Sequence, residues 1–388
     1  MDTKDNFIYL DNNATTPVDP EVLEAMLPYL TNNFANAASR HKAGLNANQA
    51  VNESREQIAK LISSKPSEVI FTSGATEGIN LAVKGIAENY QDKGKHIITL
   101  ATEHKAMLDT CNYLAKQGFE IEYLPVQSDG LLDLAVLKNA LREDTILVSV
   151  MLANNETGVI QPLKEISTLA HEAGAFFMTD ATQAFGKIPF TVNDLGIDIM
   201  TFSGHKIYAP KGIGAVYFRS RRPFKIKLPS LIHGGGHEKG MRSGTLNVPG
   251  IVALGKAAEI AQQNMEKDKL QVQGFRDYLE ENLLQIEDTA INGNTEHRLY
   301  NTSNIFFKEV DSDALIAHLD SMAFSSGSAC TSASIEPSHV LIALGLSEEE
   351  AYCCIRFSLG RFTTKSEINK AINLLKEAID SLRALRML

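Results

Sequence analysis

The stretch "DATQAFGKIPFTVNDLGIDIMTFSGHKIYAPKG" carries an aspartate and a lysine, each placed just after a short apolar run. "FFMTD" reads as a buried strand delivering Asp180 to its carboxyl end. "IDIMTFS" reads as a second strand delivering Ser203, His205 and Lys206 to a turn of small residues. An acid and an amine on neighbouring strand ends match what pyridoxal phosphate demands. The amine forms a Schiff base, and the carboxylate keeps the pyridine nitrogen protonated so that the ring withdraws electrons. A lysine at such a tip is equally an ordinary solvated residue, and the pair alone leaves both readings open.

That cofactor needs a phosphate cradle. "FTSGATEGIN" offers a strand followed by Gly74, Ala75 and Thr76 opening a helix, whose free N–H groups favour an anion. Ser-Gly ahead of a helix is also a plain cap. "TEHKA" sets His104 after another strand, where it can stack on a ring and move protons, or serve only as a polar tip. The coincidence of four such tips carries more weight than any one of them.

Residues 324–339, "FSSGSACTSASIEPSH", place Cys330 among Ser, Gly, Ala and Thr, with almost no bulk to pack against. A core cysteine usually has apolar neighbours, and this run can neither build a core nor hold a fixed shape. In "YCCIRFSLG", strand alternation puts Cys353, Ile355, Phe357 and Leu359 on one face and Cys354, Arg356 and Ser358 on the other, with packing roles expected for both cysteines. Cys111 falls in a helix and is expected to be buried. No C-x-x-C pair suggests a metal, and none is expected.

The elements that must hold these tips alternate along the chain. "EVIFTSGATEGINLAVKGIAENY", "HIITLATEHKAMLDTCNYLAKQG" and "TILVSVMLANNETGVIQPLKEISTLAHEAG" each give strand, polar tip, helix. This βα alternation predicts an α/β fold with a mostly parallel sheet covered by helices and ligands beyond the carboxyl ends of its strands. From about Pro249 a long charged helical stretch with no strand connects to a compact α+β unit ending in "KSEINKAINLLKEAIDSLRALRM". A chain of 388 residues suits one large and one smaller domain. The expected division is 15–262 for the large domain, with 1–14 and 263–388 forming the small one.

Composition narrows the function. Hydrophobic residues at 44% and charged residues at 22% are ordinary for a globular protein. A net charge of −10 offers no basic excess to displace counterions from nucleic acid. The basic run "RSRRPFKIK" (219–227) reads as a solvated loop or edge strand rather than a docking patch. The N-terminus shows no secretory signal, and no apolar run approaches the ~18 residues of a membrane helix. Four cysteines make no disulfide framework, so a reducing cytoplasm is expected.

"YLDNNATTP", "TSGATEGIN", "ATEHKA", "NNETG", "DATQAFGK", "GGGHEKGMRSGT", "SSGSACTSAS" and "IRFSLGRFT", in this order from residue 9 to about 365, resemble the cysteine desulfurases of the nitrogenase and housekeeping iron–sulfur type. These belong to the class V aminotransferase-like, fold-type I pyridoxal-phosphate enzymes. The resemblance implies conversion of L-cysteine to L-alanine with a persulfide left on Cys330. It makes Lys206 the Schiff-base lysine, Asp180 the partner of the ring nitrogen, and Gln183 and Asn155 the ligands of the phenolic oxygen, with His104 stacked on the ring. Ala75, Thr76, Ser203 and His205 would bind the phosphate, with Thr245 completing that site from the other subunit of a homodimer. Asn155 and Arg356 would bind the substrate, with Arg356 clamping its carboxylate. A sulfur acceptor is implied, either an iron–sulfur scaffold or a tRNA-thiolation protein.

The chain departs from the family pattern in places. "FANAASRHKAG" has Ala35, Ala37 and Ala38 where Gly, Pro and Ser are usual, in a segment expected to border the mouth of the site, and Ala209 replaces a glycine. A selenocysteine lyase or an aminotransferase of the same fold is the rival among enzymes. A sulfur-relay or redox-sensing protein that uses Cys330 as an exchange thiol is the rival outside them. Such a protein would need no Asp180, Lys206 and phosphate tips together.

Overall fold

A computed structural model describes residues 7–220, 226, 228–326 and 336–386 of the chain. After a short first strand, β1 (Ile8–Tyr9), seven strands form one sheet: β2 (Val69–Thr72), β3 (His96–Leu100), β4 (Glu120–Leu124), β5 (Thr145–Ser149), β6 (Phe176–Asp180), β7 (Ile199–Ser203) and β8 (Gly214–Phe218). Their spatial order is β2-β8-β7-β6-β5-β3-β4. From β7 to β4 all pairings are parallel, and β8 runs antiparallel to both β2 and β7. Every strand of this sheet except β8 therefore ends on the same edge.

Helices Ala75–Tyr90, Lys105–Ala115 and Leu163–Glu172 follow β2, β3 and β5, as βα alternation requires. The strands β3, β5, β6 and β7 are buried along their whole length, because helices cover both faces. Alternate residues divide between two cores. Ile97, Met178 and Ile199 share one with Ile79 and Met107, on the helices after β2 and β3. Ile98, Phe177 and Met200 share the other with Val51 and Ile166 and with the first half of helix Val248–Leu283. At the edge, β4 is half exposed and carries Glu120 and Glu122, which discourages pairing with another chain.

The helix Val248–Leu283 runs 36 residues without a break. Its first half, through Ile251 and Leu254, packs in the large sheet's core, and its second half, through Val272 and Leu279, packs in another. That second core takes residues from β10 (Thr302–Phe307), β11 (Met322–Ala323) and β13 (Cys354–Ser358), beside which lie β9 (Thr289–Ile291) and β12 (Ser325–Ser326). Four of these form an antiparallel sheet ordered β12-β13-β10-β9, and β1 pairs in parallel with β11. Ile8 and Leu10 are buried in this core, so the N-terminal segment packs with the C-terminal elements.

Three local expectations are refined. Ile355, Phe357 and Leu359 do share the second core, but Cys353 lies ahead of β13 and is half-buried. Cys354, from the opposite face, is buried with Leu341 and Ala351. Arg219, first in the basic run, is not solvated: it pairs with the fully buried Asp198 at 3.1 Å. Most of that run, at 221–225 and 227, lies outside the described residues.

Candidate active site

The carboxyl edge of the large sheet opens on a cavity of about 490 Å³. Ala75, Thr76, His104, Asn155, Asp180, Gln183, Ser203, His205, Lys206 and Arg356 all line it. Sequence reasoning placed these residues on six separate segments, and the fold brings them to one space. Thr245 is exposed on the loop after β8 and does not line this cavity. Cys330 lies outside the described residues. The segment containing Ala37 and Ala38 does not border this mouth within one chain. Both alanines line a separate cleft with Arg55 and His237. Ala209 is buried without a left-handed backbone, so a glycine is not needed there.

One end of the cavity is built for an anion. The helix Ala75–Tyr90 starts there with Gly74 as its cap, and its first N–H groups have no intrahelical acceptor. Ser203 and His205 come from the adjoining tip of β7. The two tips approach closely because glycines allow it. A Cβ on Gly214 would stand 2.7 Å from Gly74 Cα, and one on Gly74 would stand 3.3 Å from Ser203 Oγ. Burial and the charges of Lys206, Lys211 and Lys187 push the His205 imidazole down to about 4. With Nδ1 against Thr15 Oγ1 at 3.1 Å, it is a neutral hydrogen-bonding group near pH 7. Behind the helix start, burial would raise Glu77, but bonds from Arg242 and Ser73 more than offset this and hold its carboxyl low.

The middle of the cavity holds the reactive pair. Asp180 ends β6 almost fully buried, its Oδ1 accepting the Thr182 N–H at 2.9 Å. Lys206, on the short turn after β7, donates to the carbonyls of Asn13 and Ala14 at 2.5 and 2.6 Å. His104 caps the helix Lys105–Ala115, its Nδ1 accepting from Ala106 N at 3.1 Å, so Nε2 carries the proton of the neutral ring. At the other end, Arg356 on β13 is 2% exposed and donates to Asp11 Oδ1, Ser325 Oγ and Asn155 O at 2.7, 3.0 and 3.1 Å. Its Nε is buried with no acceptor among the described residues.

Sequence reasoning missed the supports. Asn13 is the hub: its carbonyl accepts from Gln183 and Lys206, and its side chain bonds Thr302, Asn155, Asn301 and Lys187. Glu103 is fully buried and accepts from Met151 N at 2.6 Å. Burial, with Asp180 adding to it, raises its carboxyl well above the usual range. Glu156 is pushed up to about 7 by burial, against the opposing pull of Ser338 and Arg356. Lys187 touches Gln183, and their i, i+4 spacing was a signal that could have found it. Nothing in "NNATT" distinguished Asn13 from a turn residue.

Among the other thiols, burial pushes both Cys111 and Cys354 up to about 12, so neither is a thiolate near neutral pH.

Known proteins agree with this architecture. Residues 8–371 match the model of the aminotransferase class-V family. A protein named cysteine desulfurase IscS from Anaeromyxobacter dehalogenans is 53% identical, over 97% of this chain and 93% of the relative. One of the same name from Pectobacterium carotovorum is 52% identical over 97% and 94%. Among solved structures, a NifS-like protein superposes with a TM-score of 0.89 at 37% identity, covering 97% of this chain and 99% of its own. SspA in complex with cysteine gives 0.80 at 38%, covering 92% and 100%. The chain belongs to the class-V aminotransferase family, on its cysteine desulfurase branch, and has the fold-type I architecture.

Proposed function

We propose that this protein is a pyridoxal-phosphate-dependent cysteine desulfurase that converts L-cysteine to L-alanine and leaves a persulfide on Cys330. The observation that carries this is the convergence of Asp180, Lys206, His104, a helix N-terminus and Arg356 on one cavity. Relatives more than 50% identical carry that name, and a homologue 38% identical has been solved with cysteine bound. The donor set fits the cofactor: N–H groups and neutral His205 for a phosphate, a buried carboxylate for the pyridine nitrogen, an amide for the phenolic oxygen and an amine within the same space.

Pyridoxal phosphate, when bound, supplies the electron sink that acidifies the α-carbon of a joined amino acid. The chain supplies the rest. Ala75, Thr76, Ser203 and His205 hold the phosphate, Gln183 and Asn155 fix the phenolic oxygen, and Asp180 keeps the ring-nitrogen proton. Arg356, already bonded to Asn155 O, holds the substrate carboxylate. Lys206 Nζ takes the α-proton, and His104 Nε2 serves the substrate thiol. The Cys330 thiolate attacks the substrate sulfur: an S–S bond forms, the C–S bond breaks, and its electron pair stays on the β-carbon, which takes a proton, while Lys206 Nζ returns a proton to the α-carbon to give L-alanine.

The enzyme works as a homodimer in this reading, with Thr245 reaching the partner's phosphate site, in keeping with its exposure and its absence from its own cavity. It divides into a large domain at 15–262 and a small one at 1–14 and 263–388, in keeping with the two cores that share helix Val248–Leu283. It acts in the cytoplasm, where a persulfide-forming thiol stays reduced, and passes sulfur to an iron–sulfur scaffold or a tRNA-thiolation protein. The test is Cys330→Ser. The variant should bind the cofactor and change its absorbance with L-cysteine, yet form no alanine. Wild type should gain about 32 Da on the Cys330 peptide. Added mass on Cys111, Cys353 or Cys354 instead, or normal turnover by the variant, overturns the assignment.

A further inference from the structure

Lys187 lies on no catalytic step, yet it is buried beside the cavity, 7% exposed. Its Nζ donates to Gln183 Oε1 at 2.8 Å and to Asn13 Oδ1 at 3.4 Å. Among the described residues these partners are both amide oxygens, and neither is a carboxylate. The charged groups whose fields reach it are Lys206 and Arg356, and burial with these two cations pushes its amine down to about 7. A lysine kept at that cost, unpaired with an acid, needs a reason.

The reason lies in the other end of the same amide. Gln183 Nε2 donates to Asn13 O at 2.9 Å, and a backbone carbonyl can only accept. Asn13 is itself held, with its Nδ2 on Thr302 Oγ1 at 2.9 Å and its Oδ1 accepting from Asn301 at 3.1 Å. The Gln183 amide is thus clamped at its nitrogen by a pure acceptor and at its oxygen by Lys187. One Nε2–H is spent on Asn13, and the oxygen is spent on the lysine. Gln183 lines the cavity, and the one hydrogen-bonding group of its amide left without a partner here is the second N–H.

We propose that Lys187 is a positioning residue that fixes the polarity of the Gln183 amide, so that Gln183 presents a donor and never an acceptor to the cofactor's ring oxygen. This rests on the cofactor reading above. An apolar residue at 187 would leave Gln183 Oε1 buried without its donor and leave Asn13 O as the one remaining restraint on which end of the amide faces the cofactor's oxygen.

The test is a double-mutant cycle on the cofactor-free chain, read as the dissociation constant for pyridoxal phosphate. Lys187→Met should weaken binding about tenfold, the worth of one buried hydrogen bond. In a Gln183→Ala background the same substitution should change it less than twofold. A tenfold loss in both backgrounds, or none in either, overturns the inference. Should Lys187→Met fail to fold, Lys187→Gln serves: a side chain that still donates to Gln183 Oε1 should keep the dissociation constant within about twofold of wild type although the charge is gone. A tenfold loss in this variant overturns the inference. Binding by wild type with no effect at 187 removes this inference alone, whereas no binding by wild type removes the cofactor reading and this inference with it.

Discussion

The two edges of the large sheet use the same residue types to opposite ends. At the amino edge, His96 opens β3 fully buried, its ring nitrogens on Thr145 Oγ1 at 2.8 Å and Glu122 Oε2 at 3.2 Å. Asp198, just ahead of β7, is also fully buried and meets His171 Nε2 at 2.7 Å, Phe177 N at 2.9 Å and Arg219 at 3.1 Å. At the carboxyl edge, His104 and Asp180 have comparable strand-end positions but face a cavity. One edge closes a polar shell with protein groups, and the other leaves it open. An open shell of buried polar groups is costly unless a ligand completes it. The contrast therefore locates chemistry better than residue type does.

The sharpest way to break that contrast is to remove the open edge's amine. Lys206→Ala should leave a folded protein from which dialysis removes pyridoxal phosphate, with alanine formation down about 10³-fold or more. Near-wild-type alanine production by this variant would mean that the amine sits elsewhere. Next in size is a matched pair of substitutions. Asp180→Asn should lower kcat by about 10²-fold or more, since a neutral amide does not hold a proton on the ring nitrogen, while the melting temperature of the cofactor-free protein stays close to wild type. Asp198→Asn should do the reverse: activity within about threefold, and stability lower by about 3 kcal/mol, because Arg219 loses a buried counterion. Thermal melts and steady-state rates on the same two preparations decide it, and equal effects at both positions would erase the distinction between the edges.

The open edge was legible in sequence because strand, small-residue turn and helix recur in a way that the parallel sheet enforces. "FFMTD" and "IDIMTFS" could be read as buried strands from apolar runs alone, so Asp180 and Lys206 were placed by local pattern. The closed edge was not legible. His96 and Asp198 sit in equally apolar surroundings, and what silences them comes from Glu122, Thr145, His171 and Arg219, each on a different element. The supports of the site were hidden for the same reason. Asn13 reaches residues 155, 187, 301 and 302, contacts that only the docking of the N-terminal segment onto both sheets creates. The antiparallel course of β8 likewise left no mark on "GAVYF", which reads as any buried strand.

The smallest effect concerns how the two edges respond to acid. His205 in the cofactor-free protein is held at about 4 by burial and by the cations Lys206, Lys211 and Lys187, against an ordinary 6.5. Between those values the unfolded chain binds a proton that the folded one refuses. Stability therefore rises with pH from about 4 to 6.5, and is lost as the solution is acidified through that window. His205 is only partly shielded from solvent, so the discounted contribution is on the order of 1–2 kcal/mol. Replacing it with asparagine should flatten the stability profile of the cofactor-free protein in this window and leave it unchanged above about pH 7. Denaturant melts at half-unit pH steps measure this directly. An identical slope in wild type and His205→Asn would show that the folded protein protonates this imidazole as readily as the unfolded chain does, so that burial and the neighbouring lysines do not depress it.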